Sequence, residues 1–555
     1  MFRHSQLRVS GLTAAGLILV CMAATLWAQV PATGQTLAPG EFRVAGIVVN
    51  KIGGHPLAGA RVGLADTRNR QSALAVVTED DGRFMFHVRA GKYSLEAVKR
   101  GFISAFYKQH QQFSTAIVTG AGLDTENLIL QLAPNAVLAG KVLDESGVPV
   151  RNARVTVYRE DRQSGISRIR AFRQASTDDQ GTYEVTPLDD GTYFVSARAK
   201  PWYAVHPSTT PGGEGSPPSA VDSSFDVAYQ ITYYGDATDA DDAVPIPIRG
   251  GDRVEADIHL SPVPALHLLV HVPDNGSHGF NLPEFQVPVF DGVADVHVDG
   301  SRMVSQGVFE ITGIPSGRYT VRTFGSPDGQ AKEPTEIDLT GNAQELDLSS
   351  GTPTGTVKAT VQVAGDATLP SGLVVAMRNS KGRVVSQGSV DAHGEVSFPE
   401  VVSGQYTLLA GSATKPYFVR IKSDSDNASG RTLNVPPGSS LDIKLLLIGG
   451  EVTVEGIAKQ AGKPVSGAMI VLVPEDPELN RDLFRRDQSD QDGTFGLPNV
   501  VPGSYTVIGI EDGWDLDWGK PAVLEHYATH GQTISVRGRA GRTMQLPDPV
   551  EVQPK

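Results

Sequence analysis

One short pattern is written five times along this chain, and it constrains the fold more than any other feature. A glycine opens an alternating apolar strand, and nine or ten residues later a Gly-x-Tyr triplet follows. The copies are Gly82 with Gly91-Lys92-Tyr93, Gly181 with Gly191-Thr192-Tyr193, Gly307 with Gly317-Arg318-Tyr319, Gly394 with Gly404-Gln405-Tyr406, and Gly493 with Gly503-Ser504-Tyr505. In the first copy Asp80-Asp81-Gly82 is turn chemistry, because Asp caps its own backbone and Gly takes a positive φ without steric cost. Phe84, Phe86 and Val88 then alternate with Arg83, Met85 and His87, the period of a half-buried strand. Tyr93, Leu95 and Ala97 form a second such face, so the pattern predicts a β-hairpin.

The other copies keep the rule. Two residues after the first glycine stand Phe84, Tyr183, Phe309, Val396 and Phe495; four after it stand Phe86, Val185, Ile311, Phe398 and Leu497. Three before the second glycine stand Val88, Leu188, Ile314, Val401 and Val500. The recurrent tyrosine is expected to pack its ring at a sandwich edge, with its hydroxyl bonded to backbone.

Composition narrows the class. Sixty Gly, 36 Pro and only 20% charged residues in 555 suggest many turns, little helix and an all-β chain of several domains. The formal charge of −14, with no dense Lys/Arg cluster in the sequence, speaks against nucleic acid and anionic membrane surfaces as partners. Residues 1–28 read as a signal peptide: Arg3, His4 and Arg8, then an apolar run from Gly11 to Ala28. An uncleaved N-terminal anchor is the alternative, since about 18 apolar residues is near the lower limit for spanning. Cleavage would remove Cys21, the one cysteine, and leave an exported chain without disulfides and without a stable membrane span. The expected location is periplasmic, outer-surface or extracellular.

A Pro/Gly/Thr-rich linker is expected at 29–40, followed by five β-sandwiches at 41–134, 135–262, 263–350, 351–448 and 449–552. The second carries a long insertion near 200–235, and the third and fourth are diverged outside the hairpin. Each core should lie within its own unit, with modest contacts between neighbours.

The second unit runs Gly140, Pro149, Ala153, Val155, Thr177, Asp178, Gly181, Tyr183, Gly191 and Tyr193. This string resembles a carboxypeptidase regulatory-like domain. Units one and five match through Gly46, Pro56, Ala60, Gly82, Gly91 and Tyr93, and through Gly456, Pro464, Ala468, Gly493, Gly503 and Tyr505. The resemblance implies a transthyretin-like, carbohydrate-binding-like sandwich of seven strands, related to collagen-adhesin B-type repeats and starch-binding-like domains. It also implies an accessory module without catalysis. Collagen-adhesin repeats often carry a Lys–Asn or Lys–Asp bond promoted by an acid after Gly-x-Tyr. Glu96 stands in that strand but on the face opposite Tyr93 and Leu95, and no such bond is expected; intact mass would reveal one as a loss of water or ammonia.

Motif chemistry adds little. The sequence has no Gly-x-Ser-x-Gly elbow, phosphate-binding glycine loop or His-Glu-x-x-His, so no enzyme activity, metal or cofactor is expected. His267 and His271 alternate on a strand, about 13 Å apart, and read as solvent-facing. The acidic turns at Asp80-Asp81-Gly82 and Asp490-Gln491-Asp492-Gly493 lack the later Glu of a calcium loop. Aromatic clusters are the candidate ligand-binding residues. Trp202, Tyr203, Tyr233 and Tyr234 flank the unit-two insertion, and Trp514 and Trp518 bracket Asp515 and Asp517. Flat rings beside carboxylates suit sugars, because the apolar sugar face stacks and the hydroxyls need acceptors. Equally, such rings pin insertions onto their sandwiches. The expected function is an exported, non-catalytic binding or adhesion protein of the cell envelope, with polysaccharide or envelope proteins as partners. The alternative is a structural spacer or protein–protein scaffold with no small ligand.

Overall fold

The structure is a computed structural model. It describes residues 41–555 apart from 70, 72, 121, 208–221, 273–281, 297, 323–334, 342–343, 349–353, 365–367, 381, 383, 413–415, 423–427, 450–451 and 538–541. The signal segment, Cys21 and most of the unit-two Pro/Gly/Ser-rich loop lie outside the described residues.

Five buried apolar clusters follow one another along the chain, spanning Val44–Leu132, Ala136–Leu260, Leu266–Leu339, Val357–Leu447 and Val452–Val552. Each fills a β-sandwich. In unit one, strand Glu41–Asn50 sits between Arg83–Arg89 and Leu128–Leu132. The facing sheet runs Leu74–Val77, Arg61–Asp66, Gly91–Val98, Ala105–Phe106, with Ile117–Thr119 also paired to Gly91–Val98. Alternation places Phe84, Phe86 and Val88 inward, all buried, while Arg83 and Arg89 face solvent. Units two and three repeat the two-sheet plan; in units four and five the strands join into one continuous nine-stranded sheet each.

The repeated residues carry matching geometry in all five units. The first glycine has φ between +71° and +83° in Gly82, Gly181, Gly307, Gly394 and Gly493. Its carbonyl accepts a hydrogen bond from the unit's first strand, at 2.7–2.9 Å from Val48, Val142, Val272, Val361 and Ala458. The tyrosine of Gly-x-Tyr donates its hydroxyl to the carbonyl four residues upstream. Those acceptors are Arg89, Asp189, Pro315, Val402 and Val501, at 2.5–3.0 Å. The glycine two residues before lies under the ring; a Cβ there would come within 3.3–3.7 Å of the tyrosine side chain in every copy. The triplet is thus a single packing unit: ring over glycine, hydroxyl to backbone.

One departure from antiparallel order recurs. Each unit's first strand pairs in parallel with its last, as in Gly46–Asn50 with Leu128–Leu132 and Thr356–Val363 with Ser440–Leu447. The approach is close: a Cβ on Gly46 would fall 2.1 Å from the Leu128 carbonyl oxygen, and one on Gly140 would fall 2.3 Å from that of Ala256. This is why the opening strands of units one and two carry glycine at these positions.

Contacts between units go beyond modest neighbour contacts in two places. Val227–Tyr229, from the unit-two insertion, adds an antiparallel strand to Pro262–His271 of unit three. Unit five also packs on units one and two. Lys92 pairs with Asp490 at 2.8 Å, the amides of Ala116 and Val118 donate to Asp490 and Gln491, and the Gly519 amide donates to the Gly165 carbonyl at 2.7 Å. These contacts join residues far apart in the chain, and such pairing has no local signature in sequence.

Candidate functional site

The aromatic candidates separate into covered and open rings. Trp514 and Trp518 are 7% and 4% exposed and belong to a cluster with Met469, Ile508 and Leu524. A short turn, Gly513–Asp515, and helix Pro521–Ala528 hold them against the unit-five sheet. From unit one, His110 stacks on Trp514 at 5.1 Å and 3°, and Phe113 packs on it at 5.6 Å. Arg486 and Phe484 lie on Trp518 at 4.6 and 5.4 Å. Neither tryptophan offers a face to a sugar. The bracketing carboxylates are engaged as well: Asp517 accepts from the Ser167 amide and pairs with Lys520, and Asp515 pairs with Lys555. The Trp514 ring pins unit five to unit one, and the Trp518 ring packs on Phe484 and Arg486 within unit five.

Tyr233 is fully buried, among Tyr158 and Phe290, in a cluster shared by units two and three. Tyr234 is half-buried, and its amide donates to the Val195 carbonyl. These two rings serve packing.

Trp202 stands apart at 85% exposed. Tyr203 braces it edge-on at 5.7 Å, and Phe225, 45% exposed, meets Tyr203 edge-on at 6.4 Å. Beneath them lies Glu145, on the exposed turn after strand Ala136–Leu143. Its carboxylate accepts from the Tyr203 hydroxyl and, at 2.8 Å, from the Tyr229 hydroxyl. Desolvation pushes this carboxyl up, but the hydrogen bonds outweigh it and the net shift is downward, so Glu145 is ionised at neutral pH. Tyr203 is pushed up to about 12, by desolvation and then by Glu145. The result is an exposed indole braced by Tyr203, whose hydroxyl is in turn held by the Glu145 carboxylate. The sequence brought Trp202 and Tyr203 into view; Glu145 and Phe225 were not legible, since no spacing ties residue 145 to an insertion 58 positions on.

A second polar feature lies where units two and three meet. His206 bridges Asp226 at 2.8 Å and Asp299 at 3.3 Å, and the second oxygen of Asp226 meets His267 at 2.6 Å. Lys200 pairs with Asp299, and Arg302 pairs with Glu310, which lies 3.8 Å from His267. His267 is therefore buried, at 2% exposed, and not solvent-facing. The inserted strand Val227–Tyr229 and its flanks cover a strand edge that alternation alone leaves open. His271 does remain partly open, against Glu345. Among the described residues no group of three or more His, Cys, Asp or Glu is arranged to hold a metal ion.

The acidic turns hold backbone. Asp178 accepts the amides of Gln180 and Thr182 at 2.9 and 2.8 Å, and Asp81 and Asp492 accept those of Arg83 and Thr494. Thr78, Thr177 and Ser489 each tie the following turn to the Pro-x-x-x-Ala segment, as Thr177 does between the Val150 carbonyl and the Ala153 amide.

No curated protein matches the chain. Among solved structures, the Bacillus anthracis TIE protein is 12% identical, with 74% of this chain and 76% of that chain covered and a TM-score of 0.17. The Streptococcal ancillary pilin is 10% identical over 55% of this chain and 98% of its own, TM-score 0.20. Two B repeat units of the collagen binding protein of Staphylococcus aureus are 11% identical over 73% and 99%, TM-score 0.12. Scores this low support no inference about function. The model of the carboxypeptidase regulatory-like domain matches residues 43–119 and 137–217. Those residues hold the first two copies of the ring-over-glycine hairpin, so the first two units of this all-β repeat chain are the ones that match the carboxypeptidase regulatory-like domain.

Proposed function

We propose that this chain is an exported, non-catalytic binding protein of the cell envelope, and that its second unit takes a sugar on the Trp202 face. The observation that carries the reading is the exposure of Trp202, braced by a Tyr203 whose hydroxyl is held by Glu145. An indole held open, at the hydrophobic cost of leaving so large an apolar ring in water, suits stacking on a pyranose; Glu145, held by the bracing Tyr203, suits sugar hydroxyls. Export is read from the N-terminal segment.

The test is a glycan screen with the whole chain, followed by Trp202→Ala and Glu145→Gln. Trp202→Ala should weaken a hit by about tenfold or more, a loss of roughly 1.4 kcal/mol or more, with an unchanged melt. Glu145→Gln should weaken it less; its one amide oxygen keeps a single tyrosine hydroxyl as donor, and its NH2 must donate to the other. A blank screen would favour the scaffold reading, for which the packing of unit five on units one and two is the supporting observation. Pulldown from envelope extracts would then be decisive.

A further inference from the structure

Residues 151–173 contain seven arginines, no lysine and two acids, in a chain whose net charge is −14. They are never adjacent, so the sequence shows no basic run; strand alternation gathers them. Strand Arg168–Ser176 is the outer strand of its sheet, paired on one side with Arg154–Asp161. Register sets Arg170 directly opposite Arg159, Arg168 opposite Asp161 and Arg173 opposite Val157. Cross-strand partners share a face, and a bulge at Phe172 keeps Arg173 on that face. Arg159, Arg168, Arg170 and Arg173 therefore line one side of the sheet.

Three observations make this a binding surface. Arg168, Arg170 and Arg173 are exposed and, among the described residues, form no ion pair. Like charges directly opposite on a sheet are destabilising, so the Arg159–Arg170 pair is a cost that an anion would relieve. Phe172 also orients the groups: the Arg159 guanidinium lies 3.7 Å over its ring and that of Arg173 lies 5.2 Å from it. Arg159 is shared with Asp189 at 3.4 Å, and the nearby Glu160 is held by Arg162 and Ser167. Asp291 caps the Ile169 amide at the outer edge.

We propose that this face binds an acidic polysaccharide through its carboxylates. Guanidinium forks accept carboxylates in bidentate fashion, which accounts for arginine without lysine. Alternate residues on one face of a strand repeat at about 6.6 Å, an extended row suited to a linear chain carrying charge at intervals. The acidic remainder of the molecule disfavours a broad anionic surface such as a bilayer and a densely charged duplex. The proposal stands independently of the Trp202 site.

Binding of polygalacturonate to the whole chain should be measured by calorimetry at low and high salt, with neutral dextran, duplex DNA and anionic vesicles as comparators. The expected result is salt-sensitive binding to polygalacturonate alone. It should fall at least tenfold in the Arg168→Gln/Arg170→Gln/Arg173→Gln variant and survive in Trp202→Ala. The Arg168→Lys/Arg170→Lys/Arg173→Lys variant keeps the charge and the fold, and should bind at an intermediate level. Absence of binding to polygalacturonate, equal binding by the glutamine variant, or equal or tighter binding of DNA or vesicles would overturn the proposal.

Discussion

At the residue scale, the recurrent tyrosine and the two glycines explain why the repeat is so sharply written. Tyr505 is buried and its hydroxyl satisfies the Val501 carbonyl. Tyr505→Phe leaves that carbonyl without its partner and should cost about 1–2 kcal/mol in chemical unfolding. Gly493→Ala is worse. The position has φ +79°, and the added Cβ would stand 2.6 Å from the Ala458 carbonyl oxygen. Left-handed strain and the backbone clash together should cost about 3 kcal/mol or more, seen as early melting of unit five. Asp487 offers a test in pH. Burial raises its carboxyl to about 6, although the Gly496 amide donates to it at 2.7 Å. The folded chain thus binds this proton more tightly than the unfolded chain. The contribution of Asp487 to stability falls as pH rises from about 4 to about 6, and the full penalty persists above that. Asp487→Asn keeps an acceptor for Gly496 and should stabilise the protein by about 2 kcal/mol near neutral pH, with little effect near pH 4. Equal effects at both pH values would show that the gain is not electrostatic.

At the element scale, legibility followed the range of the interactions. The hairpin was readable because turn glycine, alternation and Gly-x-Tyr all act within about a dozen residues; the structure returns it five times with one geometry. The tyrosine's backbone bond was readable too, since a buried phenol needs a partner. His267 was not. Its strand alternates as if one face met water, but Val227–Tyr229 arrives from an insertion to pair along it, and Asp226 rides in with that strand to meet the histidine. The arginine row was missed for a related reason: charge clusters were sought in sequence, whereas a strand and its register assemble them in space. Trp202 kept its place as a candidate because, among the described residues, little beyond Tyr203 packs on it. Trp514 lost its place because the rings that cover it come from residues about 400 positions away, and Trp518 lost its place because Phe484 and Arg486 of its own unit lie on it.

At the scale of the whole molecule, the packing of unit five against unit one changes what a string of sandwiches can do. Independent sandwiches joined by linkers open separately, and local opening is then set by each core alone. In this chain Gln488, 1% exposed, donates to the Lys108 carbonyl at 2.6 Å and to Thr115 at 2.8 Å, and its oxygen meets His110 at 3.0 Å. The Ala116 amide is held by Asp490 at 2.9 Å and the Val118 amide by Gln491 at 3.1 Å. Both acceptors lie in unit five, so protection of these two amides reports the docked state directly. They should exchange slowly in the intact chain. Gln488→Leu removes three buried hydrogen bonds at the contact and leaves the Lys108 carbonyl and Thr115 hydroxyl without those partners. It should cost about 2–4 kcal/mol of docking and speed exchange at 116 and 118 by at least tenfold. Amides inside the unit-one sheet, such as those of Val62 and Leu64, should be unchanged, because their cores do not depend on the contact. If Ala116 and Val118 exchange fast in the intact chain, the units are independent in solution. If Val62 and Leu64 lose protection along with them, units one and five fold as one cooperative body, and the cooperative unit of this protein is larger than its repeat.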